Sequence, residues 1–288
     1  MRTIDVTQKV ANLEVALPSV ERFWKLGDLT ALRQASDGRF YRANYERGIL
    51  LYALVARCRP RSVLEFGTGR GYGSMCIAWA LEDHSIPGQV YTIDATPSNR
   101  SFKWPVNWGD GPKIDQLSRD QVWPEAAPQT WLDRIQQLTG FSGPVMRRWE
   151  GPQIDLAFID AGHGYEAVRH DFYSVLSTVA DPFGILFDDY VIRPGFGVHT
   201  LIDEEVAPHF DTELIYTDRR WAGGERAHIE HPEYGMIWIQ STGMQGSIQE
   251  IYPLDTRKQV LRQYYRRERI TTLRFHLIRA LHALRRWN

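Results

Sequence analysis

Apolar positions between about Arg61 and Gln240 follow two alternating rhythms. Short runs of β-branched and apolar residues recur, separated by stretches whose apolar residues repeat at helical spacing. That is the pattern of a mostly parallel sheet with helices on both faces. Arg61–Phe66 (RSVLEF) reads as a first buried strand, followed at once by glycines and a helix over Ser74–Leu81. Gln89–Asp94 is the second strand, Gly143–Arg147 a weak third, Ile154–Asp160 a strong fourth and Gly184–Asp188 a fifth. Glu213–Thr217 and Tyr234–Gln240 bring the count to seven, the last with period-two alternation in MIWIQ. The spacing predicts helices over Gln129–Thr139, Tyr165–Val179 and His199–Phe210, and an apolar helix over Tyr41–Arg57 that covers the ligand side of the sheet.

The pattern divides the chain into three regions: an N-terminal segment 1–40, an α/β domain 41–245, and a C-terminal region 246–288. Within the domain, Thr96–Pro128 reads as an irregular insert rich in Trp, Pro and Gly, either a substrate-facing loop or a surface decoration. In the C-terminal region Ile270, Leu273, Leu277, Ala280, Leu284 and Trp287 recur at three- and four-residue spacing, an amphipathic helix with Arg274, Arg279, Arg285 and Arg286 on its other faces.

Length and composition narrow the class. The 288 residues suit one generous domain, or one domain with an appendage. Cys58 and Cys76 form no C-x-x-C pattern, so neither a disulfide framework nor a structural zinc site is expected. The first residues hold no secretory apolar core, and no apolar run approaches the ~18 residues of a membrane span. The expectation is a soluble, cytoplasmic protein. Net charge is −1, yet ten Arg/Lys against one acid lie between Arg257 and Asn288, leaving an acidic body with a basic tail. Docking on the body or on a second copy in a homo-oligomer, lying peripherally on an anionic membrane, and binding nucleic acid all remain open for that tail. The acidic body and the lack of an RNA-recognition motif speak against nucleic acid.

The candidate chemistry begins at the first strand's end, in Glu65-Phe-Gly67-Thr68-Gly69-Arg-Gly71-Tyr72-Gly73. A dinucleotide fingerprint fails here, because its third glycine would fall on Tyr72 or Ser74. An acid before the glycines suits a cationic, amino-acid-bearing ligand, and Asp94 at the next strand end suits a ribose diol. VLEFGTGRGYGS resembles the first motif of class I methyltransferases. The resemblance implies a Rossmann-like class I methyltransferase sheet binding S-adenosylmethionine through Glu65, Gly67, Thr68, Gly69, Gly71, Tyr72, Asp94 and Asp160. It leaves the adenine contacts unassigned, because the stretch Arg147–Gln153 before the fourth strand reads as short.

The fourth strand runs into Asp160-Ala-Gly-His163 and the fifth into Asp188-Asp189, and open α/β sheets bind ligands beyond such strand ends. Three converging carboxylates repel unless a cation neutralises them, and a hard divalent ion such as Mg²⁺ would serve. The arrangement resembles catechol O-methyltransferase and, more fully, the metal-dependent macrolide-sugar O-methyltransferases, whose Pro-Gly-Phe-Gly stretch matches Pro194–Gly197. That resemblance implies a metal on Asp160, Asp188 and Asp189, His163 as general base, Asp160 in the catalytic set, and a small hydroxylated acceptor such as a sugar or diol. Blander roles stay open: His163 orienting a loop, Asp189 capping a turn. Asp171 and Arg169 read as exposed ion-pairing residues, and Trp104, Trp108, Trp123 and Trp221 as packing residues. Two rival functions also remain, a metal-independent N- or carboxyl-methyltransferase and a binding module using the basic tail on RNA or an acidic partner.

Overall fold

The computed structural model describes residues 1–42, 45–192, 194–217 and 235–266. The chain begins with β1 (Arg2–Asp5), α1 (Val6–Asn12), α2 (Val20–Thr30), the paired β2 (Leu32–Gln34) and β3 (Phe40–Arg42), and α3 (Tyr45–Cys58). Next come β4 (Ser62–Phe66), α4 (Tyr72–Asp83), β5 (Gln89–Asp94), a hairpin of β6 (Phe102–Asn107) and β7 (Pro112–Leu117), α5 (Arg119–Ala126) and α6 (Gln129–Leu132). Then follow β8 (Ile135–Thr139), α7 (Ser142–Met146), β9 (Ile154–Ile159), α8 (Tyr165–Leu176) and β10 (Val179–Tyr190). After α9 (Val198–Leu201) and a π-helical turn over Ile202–Val206 come β11 (Glu213–Tyr216), β12 (Gly235–Gln240) and α10 (Ile248–Ile251). Residues 254–266 are helical.

Eight strands form one sheet in the order β1-β11-β12-β10-β9-β4-β5-β8. Only β12 runs antiparallel to its neighbours β10 and β11. The α/β reading holds, and β1 adds an eighth strand to the expected seven by pairing parallel to β11. Successive side chains of a strand point to opposite faces, and the core divides accordingly. Val63, Leu156 and Phe158 join the layer built with α3 and α4, whereas Leu64, Phe66, Ala157 and Ile159 join the layer built with α8. Helix α4 is buried from Tyr72 to Leu81, which explains its continuous apolar sequence.

Three expectations are corrected. The predicted helix over Gln129–Thr139 is one helical turn, α6, followed by the third strand β8, which pairs parallel to β5 at the sheet edge. Ile135 and Leu138 are three residues apart, in phase with Trp131 and Leu132, so spacing alone favoured a helix where sheet pairing prevails. The expected weak strand Gly143–Arg147 is the short helix α7. Consequently the link from the third to the fourth strand runs through 140–153 and is not short. The insert is ordered, as β6, β7 and α5. Trp104 and Trp123 are buried, Trp108 is exposed, and Trp221, like the amphipathic pattern Ile270–Trp287, lies outside the described residues. Among the described residues, no helix is long and apolar enough to cross a membrane.

The hairpin is nailed to the body by Trp104. Its ring is fully buried and stacks on Phe102 at 5.1 Å, and its Nε1 donates to the Leu29 carbonyl at 2.7 Å. We predict that Trp104→Ala costs ~3–5 kcal/mol in urea unfolding, the range for truncating a buried aromatic. A loss below about 1 kcal/mol would show that the hairpin lies outside the cooperative unit.

Candidate functional site

A cleft of about 910 Å³ opens beyond the carboxyl ends of β4, β5, β8, β9 and β10, where an α/β sheet is built to take ligands. Its floor is the glycine turn. Gly67 has φ +95°, and a Cβ there would lie 2.2 Å from the Asp160 carbonyl oxygen, so only glycine lets the two strand ends approach. Asp94 stands at the rim, accepting from the amides of Gly69 at 2.8 Å and Thr96 at 2.6 Å.

Other sequence-predicted residues of this end face inward. The Thr68 hydroxyl meets the Thr92 hydroxyl at 2.6 Å, and the Tyr72 hydroxyl donates to the Tyr45 carbonyl at 2.8 Å. Their side-chain hydroxyls are committed to the protein, although both residues line the cleft. Glu65 is fully buried and accepts from the hydroxyls of Ser74 and Thr92. Burial raises its pKa to about 7, against the pull of those two hydroxyls and of Arg47.

Arg119, which sequence reasoning missed, braces this rim from beneath. Its Nη1 donates to the Gly69 carbonyl at 2.7 Å, its Nη2 to the Thr96 carbonyl, and its Nε to Gln137 at 2.9 Å. Asp94 lies 3.7 Å from the same guanidinium. Gly140, Phe141 and Ser142, after the third strand, also line the cleft.

The opposite wall carries the acids. The pairing of β10 with β12 skips from Phe187–Ile237 to Tyr190–Gly235, so Asp188 and Asp189 occupy a bulge. Asp189 takes φ +56°, a left-handed conformation that costs about 1–3 kcal/mol for a non-glycine residue. The bulge re-aims neighbouring side chains. Asp188 bonds Arg47, whereas Asp189 lies 3.4 Å from His163 Nδ1. His163 itself is held by the Pro194–Gly197 stretch. Phe196 stacks parallel on its ring at 5.0 Å, and the Gly197 amide donates to its carbonyl at 2.7 Å. A Cβ on Gly197 would fall 2.3 Å from the Tyr165 amide nitrogen.

Arg47, from α3, is the residue that sequence reasoning lacked. Its Nη1 donates to Asp160 at 2.7 Å and also to Asp188. Burial works against its charge, but Asp160 and Asp188 outweigh that and hold the guanidinium above the usual arginine range. Burial likewise pushes Asp160 well above the usual carboxylate range; Arg47 pulls it down while Asp188 and Asp189 push it up.

Of the three expected metal ligands, the structure brings Asp160 and Asp189 together with His163. One donor atom of each lies within 4.8 Å of the others. Asp188 faces Arg47 and stands outside that group. Two carboxylate oxygens and an imidazole nitrogen at this spacing fit a divalent cation.

Asp171 is not exposed. It is buried, bonded to His170 Nδ1 at 2.9 Å, and lines the cleft beside Tyr264, whose ring stacks on His170 at 4.2 Å. Arg169 pairs with Glu205 at 2.6 Å.

Residues 64–190 match the family model described as a methyltransferase domain. An O-methyltransferase from Bacillus cereus, solved with SAH, is 17% identical and superposes with a TM-score of 0.50 over 82% of this chain and 96% of its own. The O-methyltransferase TomG from Streptomyces achromogenes, solved with SAM and involved in tomaymycin synthesis, is 17% identical with a TM-score of 0.48 over 83% and 96%. No curated protein matches the chain.

Glu65 generates a test of the site's electrostatics. Its folded pKa of about 7 exceeds the usual value of 4.5, so between those pH values the native state holds the extra proton. Stability contributed by this group is therefore present below about pH 4.5 and lost as pH rises through about 7. In ligand-free protein, Glu65→Gln is expected to flatten the fall in stability from pH 5 to 8, by on the order of 3 kcal/mol at most. Parallel pH–stability curves for the two proteins would refute the buried-acid assignment.

Proposed function

We propose that this chain, a methyltransferase of the class I fold, moves the methyl group of S-adenosylmethionine to a hydroxyl oxygen of a small acceptor. The observation that carries the reading is a single cleft with the glycine turn and Asp94 on one side and the His163–Asp189 pair on the other. A nucleoside with an amino-acid arm fits the first side. Asp94 would accept from the ribose hydroxyls, the backbone at Gly67–Gly71 would receive the chain, and buried Glu65 favours a cationic group nearby. When bound, that cofactor supplies an electrophilic methyl group.

The protein's own work is alignment and proton removal. With Nδ1 turned to Asp189, His163 keeps Nε2 to take the acceptor's hydroxyl proton. Asp189 then orients the ring and stabilises the imidazolium, as an acid beside a histidine does in hydrolase triads. Asp160 sits between this pair and the glycine turn, its carbonyl against Gly67 and its carboxylate on Arg47.

The role of a metal has two readings, each with an observation behind it. In the first, Asp160, His163 and Asp189 would hold Mg²⁺ or another divalent cation, whose chemistry is to lower the pKa of an acceptor hydroxyl. A diol, in a sugar or a catechol, is the acceptor suited to that site. In the second, Arg47 already supplies the cation to Asp160 and Asp188, and His163 with Asp189 works without a metal. Chelation separates them. Turnover followed by mass spectrometry on a panel of sugars and catechols is lost in EDTA and restored by Mg²⁺ or Mn²⁺ under the first reading, and unchanged under the second.

Two substitutions test the site; under the first reading His163 would be a ligand of the cation, and under the second the base that takes the proton. Asp94→Ala is expected to weaken S-adenosylhomocysteine binding by ~1–3 kcal/mol in calorimetry, the loss of charge-assisted hydrogen bonds. His163→Ala is expected to lower kcat by ~10²–10⁴-fold with cofactor affinity retained. No heat of binding for either S-adenosylmethionine or S-adenosylhomocysteine to the unaltered protein would overturn the cofactor assignment.

A further inference from the structure

The cleft is lined by the acids Asp160, Asp188 and Asp189 and also by Arg33, Arg70, Arg100 and Lys103. The strands β2 and β6 that carry Arg33 and Lys103 pack together. The four cations come from separate parts of the chain: β2, the glycine turn, the loop before β6, and β6 itself. Arg70 is fastened to the hairpin, its Nη1 donating to the Pro105 carbonyl at 3.0 Å. Among the described residues none of the four meets a carboxylate. By contrast Arg47, Arg119, Arg134 and Arg169 each reach an acid. Arg70 is half-buried, and burial together with the charge of Arg33 lowers its pKa to about 10. Like charges gathered on one wall of a cleft repel each other in the empty protein, and an anion relieves that repulsion.

S-adenosylmethionine is not a sufficient anion. It carries a single carboxylate beside two positive groups, so at most one of the four cations can be answered by it. We infer that the basic wall formed by Arg33, Arg70, Arg100 and Lys103 binds a phosphate or diphosphate group on the acceptor, while the hydroxyl to be methylated reaches the His163 side. The inference rests on the methyltransferase reading for the identity of the acceptor, but the anion site stands on its own geometry. Arginine forks match phosphate oxygens two at a time, and the hairpin that carries Lys103 is anchored to the core by Trp104, so the wall is held in place before a ligand arrives.

The test is calorimetric titration of inorganic pyrophosphate into the full chain at low ionic strength, with and without saturating S-adenosylhomocysteine. Saturable binding is expected in both conditions and weakens as salt is added. Arg70→Gln, and separately the exposed pair Arg33→Gln with Lys103→Gln, should each weaken pyrophosphate about tenfold or more. The exposed pair should leave the melting curve and S-adenosylhomocysteine affinity unchanged. Absent binding to the unaltered protein, or equal binding to correctly folded variants, overturns the inference. So does competition between pyrophosphate and S-adenosylhomocysteine, which would assign the cations to the cofactor's own carboxylate. Should S-adenosylhomocysteine fail to bind at all, the cofactor reading falls, and the titrations without it still decide the anion site.

Discussion

The guanidinium of Arg47 is wedged between carboxylates that would otherwise drive the ends of two neighbouring strands apart. Asp160 follows β9 and Asp188 follows Phe187, the last residue of β10 paired with β9, and both point into the same poorly solvated corner. Ionised together without a cation, they would repel strongly at that separation. Removing one partner from such a buried group leaves an uncompensated charge and is far more costly than the pair is stabilising. The helix α3 is thereby tied to the sheet by charge as well as by its apolar face. The rest of the site follows from that tie: the glycine turn can close on Asp160 because Asp160 is held, and Asp189 is released to His163 because Asp188 is already engaged.

Much of the fold was legible in the chain. Buried central strands are continuous apolar runs ended by acids or glycine, and β4, β5 and β9 match their predicted spans within a residue. What misled was the sheet edge. Ile135-Gln-Gln-Leu138-Thr has neither an apolar run nor strict alternation, and none of its residues is fully buried at the sheet edge. The hairpin β6–β7 was hidden for a related reason. Its two tryptophans and two prolines suggest a loop, whereas the seating of Trp104 beneath α2 anchors the segment in the fold.

The candidate site divides the same way. Residues that sit at strand ends by topology were visible, because strand order alone brings Glu65, Asp94, Asp160 and the acidic pair to one edge. Arg47 was not. It lies 113 residues from Asp160 and 141 from Asp188, one of two arginines in a largely apolar helix, and nothing local distinguishes it from a solvated residue. The different fates of Asp188 and Asp189 were equally hidden, since they arise from a skipped register against β12, a strand some fifty residues further along. Asp171 looked like a surface acid by its neighbours in sequence, yet it is buried beside His170, on which Tyr264 of the returning segment 254–266 stacks.

Arg119 bears on the entropy of binding. Strand-end loops in open α/β sheets are ordinarily the mobile part, and a ligand that must first order them loses affinity to that ordering. One side chain here hydrogen-bonds to the loops after β4 and β5 and to β8, with Asp94 close beside it. The end of the cleft at the glycine turn is therefore assembled before anything enters, and contact energy made there is not consumed in arranging the backbone. At the acid-lined end Arg47 ties Asp160 and Asp188 by opposing charge, a balance that a ligand or a proton can shift. Rigid recognition and adjustable chemistry are thus assigned to different halves of one cavity.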